Sequence, residues 1–370
     1  MLNIDMVRDL EDNICMNKQK FNQLQGLRVF AIFLVVACHI PLQFDGGISN
    51  VIFFCLSGFL LVKPFSKVFR IESWKELVVF YLKKIVTIII PYWIFITLLM
   101  FLMKHQMPLI WGHWHYYRRA MLFYDAPGHL WFLQQLVLMY FISPIFIFIH
   151  MLLTKYIKWD YINLAYGAFL LGLALITRQF LSSDVFYLLT GGEKAPFRIH
   201  SFLVGMAFAY FYSVIVQKEI KISFKLQQFL CVIPLSILVF AMISGFIFGP
   251  RNIAIGWSYQ YCTAVFASIM IVMLVWCNDS WLCKILSFKP LVEIGNITFS
   301  IYILHFFFMP YIRPVAENDG VLLIGTFILS MGVGYLFQKA VFDKINFLCN
   351  KYVYPSILKI HKKQPTENAA

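Results

Sequence analysis

Long apolar runs separated by short polar stretches dominate this chain, and many approach the roughly 20 residues that cross a bilayer as a helix. They fall at about 29–44, 48–62, 85–103, 130–153, 161–181, 197–216, 227–248, 257–277, 291–312 and 321–342. This pattern predicts an all-α polytopic membrane protein with about ten transmembrane helices. The first two runs are short, and the Asp45-Gly46-Gly47 between them predicts a tight helical hairpin. One amphipathic piece interrupts the series. Ser73-Trp74-Lys75-Glu76 has capping-box spacing, and the helix it opens reaches Lys83-Lys84 before the third span. Trp74 and these lysines suit an interfacial anchor at headgroup level, and the same lysines can receive an anionic ligand.

Composition agrees with the pattern. Of 370 residues, 61% are hydrophobic and only 13% charged, against about 25% charged in a soluble domain. The polar segment 1–26 and the tail 346–370 are too small for a separate catalytic module, so any chemistry belongs to the membrane domain at 27–345. The first 25 residues hold no apolar signal-peptide core, so insertion is expected to rely on the first span.

With the amino terminus inside, 23 of the 31 lysines and arginines fall on the inner side and 8 on the outer. The inner set includes Lys18, Lys20, Lys63, Lys67, Arg70, Lys155, Lys158, Lys218, Lys221, Lys225, Lys359, Lys362 and Lys363. The loops are short, which is where the positive-inside rule applies, so both termini are expected to be cytoplasmic. The net charge of +13 is then a topology and anionic-lipid signal. Its dispersal over membrane loops argues against a nucleic-acid partner. Eight cysteines include no CxxC pair and are expected to be reduced and structural. Cys38 adjoins His39, but helix neighbours point about 100° apart, which speaks against a Cys-His dyad.

The first span carries an ionisable stripe. Arg28 opens it and His39 follows eleven residues later, a rotation of about 1100° that puts both side chains on one face, about 16 Å apart along the axis. Ionisable groups at bilayer depth are costly and are functional candidates by default. Such a stripe belongs in a protein interior or a wet cavity, not against lipid.

Five motifs accompany the stripe in order. They are Leu24-Gln25-Gly26-Leu27-Arg28 with His39, Phe53 through Leu60 around Ser57-Gly58, His129-Leu130-Trp131-Phe132-Leu133, Arg198-Ile199-His200 opening the sixth span, and Ser300, Tyr302 and His305 in the ninth. Together they make a chain that resembles the membrane acyltransferase 3 family over roughly residues 21–345. Two departures stand out: Lys83-Lys84 precede Pro91-Tyr92 where many members carry arginines closer to the proline, and Phe342-Asp343-Lys344 replaces a Glu-x-Pro-like ending.

The resemblance implies transfer of an acyl group, usually acetyl from acetyl-CoA, to a hydroxyl of a cell-surface or lipid-linked carbohydrate. It implies a bacterial cytoplasmic (inner) membrane, an acyl-CoA co-substrate, no resident cofactor, and a glycan acceptor and membrane lipids as partners. Residue positions fit this chemistry. Arg28, near the inner face with Lys83 and Lys84, suits a CoA phosphate, for which guanidinium is the matching group. His39 can remove the acceptor's hydroxyl proton as general base. His129, Arg198, His200, His305 and Ser57 are the acceptor-binding candidates, placed toward the outer half.

Each residue also has a plainer reading. A membrane histidine can serve helix packing, Arg198 and His200 can snorkel at an interface, and Ser57 beside Gly58 can permit close helix approach. Glu293 can pair with a lysine. His113-Trp114-His115 has no third ligand nearby, so no metal site is expected there. The rival class is a multi-pass transporter with an intramembrane Arg/His path, whose marks are repeated halves and interrupted helices. No internal repeat is evident here.

Overall fold

The computed structural model describes residues 21–40, 42, 46–62, 74–103, 114–123, 128–157, 159–180, 198–248 and 256–359. Outside that set lie Asp45 of the expected hairpin turn, Ser73 of the capping box, Cys15, His113, and the basic residues Lys18, Lys20, Lys63, Lys67, Arg70, Lys158, Lys362 and Lys363. The described elements are helical. In chain order they are α1 (Asn22–Cys38), α2 (Gly46–Val62), α3 (Trp74–Lys84), α4 (Ile90–Met103), α5 (Trp114–Met121), α6 (Trp131–Tyr156), α7 (Ile162–Phe180), α8 (Ile199–Gln217), α9 (Phe224–Leu230), α10 (Val232–Phe248), α11 (Gly256–Trp276), α12 (Trp281–Leu286), α13 (Lys289–Asn296), α14 (Thr298–Ile312), α15 (Asp319–Phe337), α16 (Asp343–Leu348) and α17 (Tyr354–Lys359).

Among the described residues six helices are long and apolar enough to cross a membrane, and the bent pair α13–α14 makes a seventh. Shorter apolar helices cover Asn22–Cys38, Gly47–Val62 and Gln260–Trp276. The chain is therefore a multi-pass membrane protein, all-helical among the described residues. α8 is its central post: 61% of its most apolar window is buried, against 22–33% in the other long spans, and it packs against α7, α2, α11 and α6. α1 is held by α2, α12, α13 and α14.

Several boundaries differ from the hydropathy pattern, each for a physical reason. α1 begins at Asn22, well before the apolar run, because its polar first turns bury among helices instead of facing lipid. Gln23 Nε2 donates to the Leu274 carbonyl at 3.1 Å. A Cβ on Gly26 would lie 2.2 Å from the Leu286 carbonyl oxygen, and one on Gly295 would lie 2.4 Å from that of Gln25. These two glycines let α12 and α13 close on the start of α1. The other end stops early: Cys38 is the last helical residue, and His39 caps it with a 3.2 Å bond from its N–H to the Val36 carbonyl.

The amphipathic helix and the third span join through a π-turn at Ile85–Ile89. Pro91 has no N–H to offer the carbonyl four residues back, and the wider turn absorbs the missing bond, with Ile90 N–H reaching Ile85 O. Two further such turns follow, Gln338–Phe342 before Asp343 and Cys349–Val353 before Pro355. Helix therefore continues beyond the tenth apolar run to Lys359, with Tyr354 buried and α17 against α3. In α6, Pro144 leaves the Tyr140 carbonyl without its helical donor, and the Ser143 hydroxyl supplies one at 3.1 Å. The ninth run breaks at Ile297, where α13 and α14 meet with a bend of 69°. His305 then stands about 10 Å along α14 from its start, not about 21 Å along one straight span.

Candidate active site

Three histidines from distant parts of the sequence meet in the interior. His39 caps α1, His129 sits in the 3-10 turn Gly128–Leu130 that leads into α6, and His305 lies in α14. Their ring centroids are 5.2 Å apart for His39–His305, 4.9 Å for His129–His305 and 6.2 Å for His39–His129. Phe306 closes one side, 4.9 Å from His129 and 5.6 Å from His39. The Tyr302 hydroxyl, one turn before His305, donates to the His129 backbone carbonyl and ties the 3-10 turn to α14. His305 is fully buried and its Nδ1 lies 3.3 Å from the Ile301 carbonyl. The Nε2 atoms of His129 and His305 are buried without a hydrogen-bond partner among the described residues. Unmet polar atoms of this kind are expensive in an apolar interior, so the cluster suits a polar group arriving between the rings.

Arg28, at the other end of the α1 stripe, is half-buried and donates from Nη1 to Gln25 Oε1 at 3.1 Å. The Tyr140 ring of α6 lies within electrostatic range of it, and Lys84 places its ammonium 3.7 Å from the centroid of that same ring. Lys84 and Tyr140 line a groove together with Tyr81 and Phe141. The Tyr81 hydroxyl donates to the Phe141 carbonyl at 2.9 Å, fixing α3 on α6. Lys83 points elsewhere, 5.4 Å from the Tyr354 ring. The structure therefore separates the two lysines that the sequence reading grouped.

Arg198 and His200 do not snorkel. Both are buried, at 8% and 0% exposure, and the Arg198 N–H donates to Gln135 Oε1 on α6 at 2.9 Å. Ser57 is half-buried, and its neighbour Gly58 makes the helix contact: a Cβ there would lie 2.1 Å from the Phe202 carbonyl oxygen. The Cys38 thiol donates to the Val35 carbonyl at 3.1 Å and faces its own helix. The seven described cysteines are free thiols. Glu293 is exposed, and its charge reaches Lys339, which pairs with Asp343 at 2.9 Å.

Tyr140, Tyr302 and Phe306 join the candidate residues through the fold. Tyr302 was accessible through its one-turn spacing from His305, but Tyr140 has no local signal and becomes visible only when α1, α3 and α6 are brought together.

Residues 21–339 match the family model described as an acyltransferase domain. The chain is also 26% identical over 313 residues to proteins named O-acetyltransferase OatA from Staphylococcus aureus strains NCTC 8325 / PS 47, COL and MRSA252, a match covering 76% of this chain and 49% of each relative. It thus spans about half the length of the curated relatives it matches. No solved structure matches.

Proposed function

Because this chain belongs to the membrane acyltransferase 3 family, a match that covers most of its length, we propose that it is an O-acetyltransferase moving an acetyl group from acetyl-CoA to a hydroxyl of a cell-surface or lipid-linked carbohydrate. The observation that carries this reading is the meeting of His39, His129 and His305 at one end of a stripe whose other end, Arg28, lies within electrostatic range of the Tyr140 ring that Lys84 faces.

The chemistry follows from the groups available. The acceptor hydroxyl hydrogen-bonds to the His39 imidazole, which removes its proton as the oxygen attacks the thioester carbonyl. The tetrahedral intermediate collapses, the C–S bond breaks, and the proton passes from the imidazolium to the departing thiolate. His305 and His129 hold the acceptor and orient the His39 ring. A base fixed within hydrogen-bond reach of the reacting hydroxyl lowers the entropic part of the barrier. Arg28 and Lys84 receive the CoA phosphates, and about 16 Å of α1 separates them from the imidazoles, within reach of an extended pantetheine arm. Arg198, His200 and Ser57 belong to the acceptor side in this scheme, and Lys83 is left to a supporting place at α17.

The seven long spans and three short apolar helices support ten crossings, with both termini cytoplasmic and the chain in a bacterial inner membrane, in line with the bias of basic residues. Membranes carrying the chain, supplied with radiolabelled acetyl-CoA, test the function. Label in a lipid-linked or polymeric sugar is the expected outcome. Uptake of acetyl-CoA without covalent transfer would replace the enzyme reading with the transporter one.

A further inference from the structure

A second polar group lies where α6, α7, α8 and α11 meet. The register of α7 against α8 follows from two contacts. A Cβ on Gly167 would lie 2.4 Å from the Phe211 ring and 3.0 Å from the Ala207 carbonyl oxygen, and Asn163 Nδ2 donates to Gln217 Oε1 at 3.1 Å. The helices therefore run antiparallel, and moving eleven residues up α7 from Gly167 brings Arg178 level with Arg198 at the start of α8. His200, the second residue of α8, is wholly buried beside the Gln260 backbone, and its ring nitrogens make no well-formed hydrogen bond among the described residues. Arg178 Nε and Gln260 Oε1 are buried in the same condition, and the charges of both arginines reach the His200 ring. Gln135, from α6, holds the backbone of Arg198.

Two guanidinium groups and a buried imidazole at one level are what an oxyanion needs: planar forks for its oxygens and a further donor behind them. A neutral sugar hydroxyl would not require two cations. We propose that Arg178, Arg198 and His200 form an oxyanion site that takes the phosphate or carboxylate of an anionic acceptor. That the anion belongs to an acceptor rests on the acetyltransferase reading; the anion site itself does not.

The test is a binding measurement on the purified full-length chain in detergent, without acyl-CoA, so that its result is independent of catalysis. Thermal unfolding is followed while inorganic pyrophosphate or glucuronate is titrated at constant ionic strength. The wild-type chain should show a saturable rise in Tm, and Arg178→Gln and Arg198→Gln should abolish it. Arg313→Gln, on an exposed residue, should leave it unchanged. A stronger response to pyrophosphate assigns a phosphate-bearing ligand, and a stronger response to glucuronate assigns a uronate. If the Gln variants fail to fold, Arg178→Lys keeps the charge without the fork and should raise the half-saturating concentration several-fold. No saturable rise in the wild type, or an equal response in the arginine variants, overturns the site while leaving acetyl transfer to stand or fall on its own assay.

Discussion

Gly58→Ala and Gly205→Ala test the packing that supports the site without touching it. The two glycines face each other's helix: a Cβ on Gly58 would lie 2.1 Å from the Phe202 carbonyl oxygen, and one on Gly205 would lie 2.2 Å from the Cys55 carbonyl oxygen. Ordinary contact begins near 3.4 Å, so each methyl must push α2 and α8 apart by more than 1 Å locally. The obstacle is backbone, which cannot rotate away. Overpacking of this kind costs about 1–3 kcal/mol, while alanine's better helix propensity returns at most about 1 kcal/mol, so each substitution should be net destabilising. The double variant should cost less than the sum, because helices parted by one methyl already accommodate the other. Separation also moves Phe54, whose ring lies 4.6 Å from Phe132, three residues beyond His129, so transfer should fall as well. Gly172→Ala is the control, since nothing lies within 4 Å of its added Cβ. Thermal unfolding of the purified variants reads the effect. Additive losses, each no larger than that of Gly172→Ala, would refute the close approach of α2 and α8.

Three further outcomes follow from the site. Arg28→Ala should weaken apparent affinity for acetyl-CoA in membrane transfer assays, and Arg28→Lys should restore only part of it, because the ammonium lacks the planar fork; unchanged affinity in Arg28→Ala sinks the donor assignment. Lys84→Ala should raise the KM for acetyl-CoA about tenfold, the effect of losing one charge-assisted hydrogen bond, and Lys83→Ala much less, since Lys83 faces Tyr354; equal effects would contradict the divergence of the two lysines. His305→Gln should lower kcat by up to about a hundredfold through misplacement of the His39 ring while leaving acetyl-CoA affinity nearly intact, read by separating kcat from the KM for each substrate.

Much of this architecture is legible in the residues. The 3.6-residue period puts Arg28 and His39 on one stripe, and apolar length marks most of the helices. What local pattern does not carry is the tertiary assembly. His39, His129 and His305 come from the end of one helix, a 3-10 turn and a bent helix, and nothing in their spacing requires their rings to meet. Hydropathy started α1 too late because Gln23 and Gln25 look like surface residues, whereas here Gln23 bonds to α11 and Gln25 lies under Gly295. It also ended the last helix too early, since π-turns before Asp343 and Pro355 carry the helix on beyond the apolar run. Arg198 and His200 looked interfacial by position, but burial against α6 and α7 gives them different surroundings.

The central claim is that His39 is the base. Membranes with wild-type chain or His39→Gln at matched expression are given radiolabelled acetyl-CoA, and label entering glycan is counted over time. The account predicts a fall of about two to four orders of magnitude in the variant, with its thermal unfolding unchanged. Transfer at the wild-type rate by a well-inserted His39→Gln chain would contradict it.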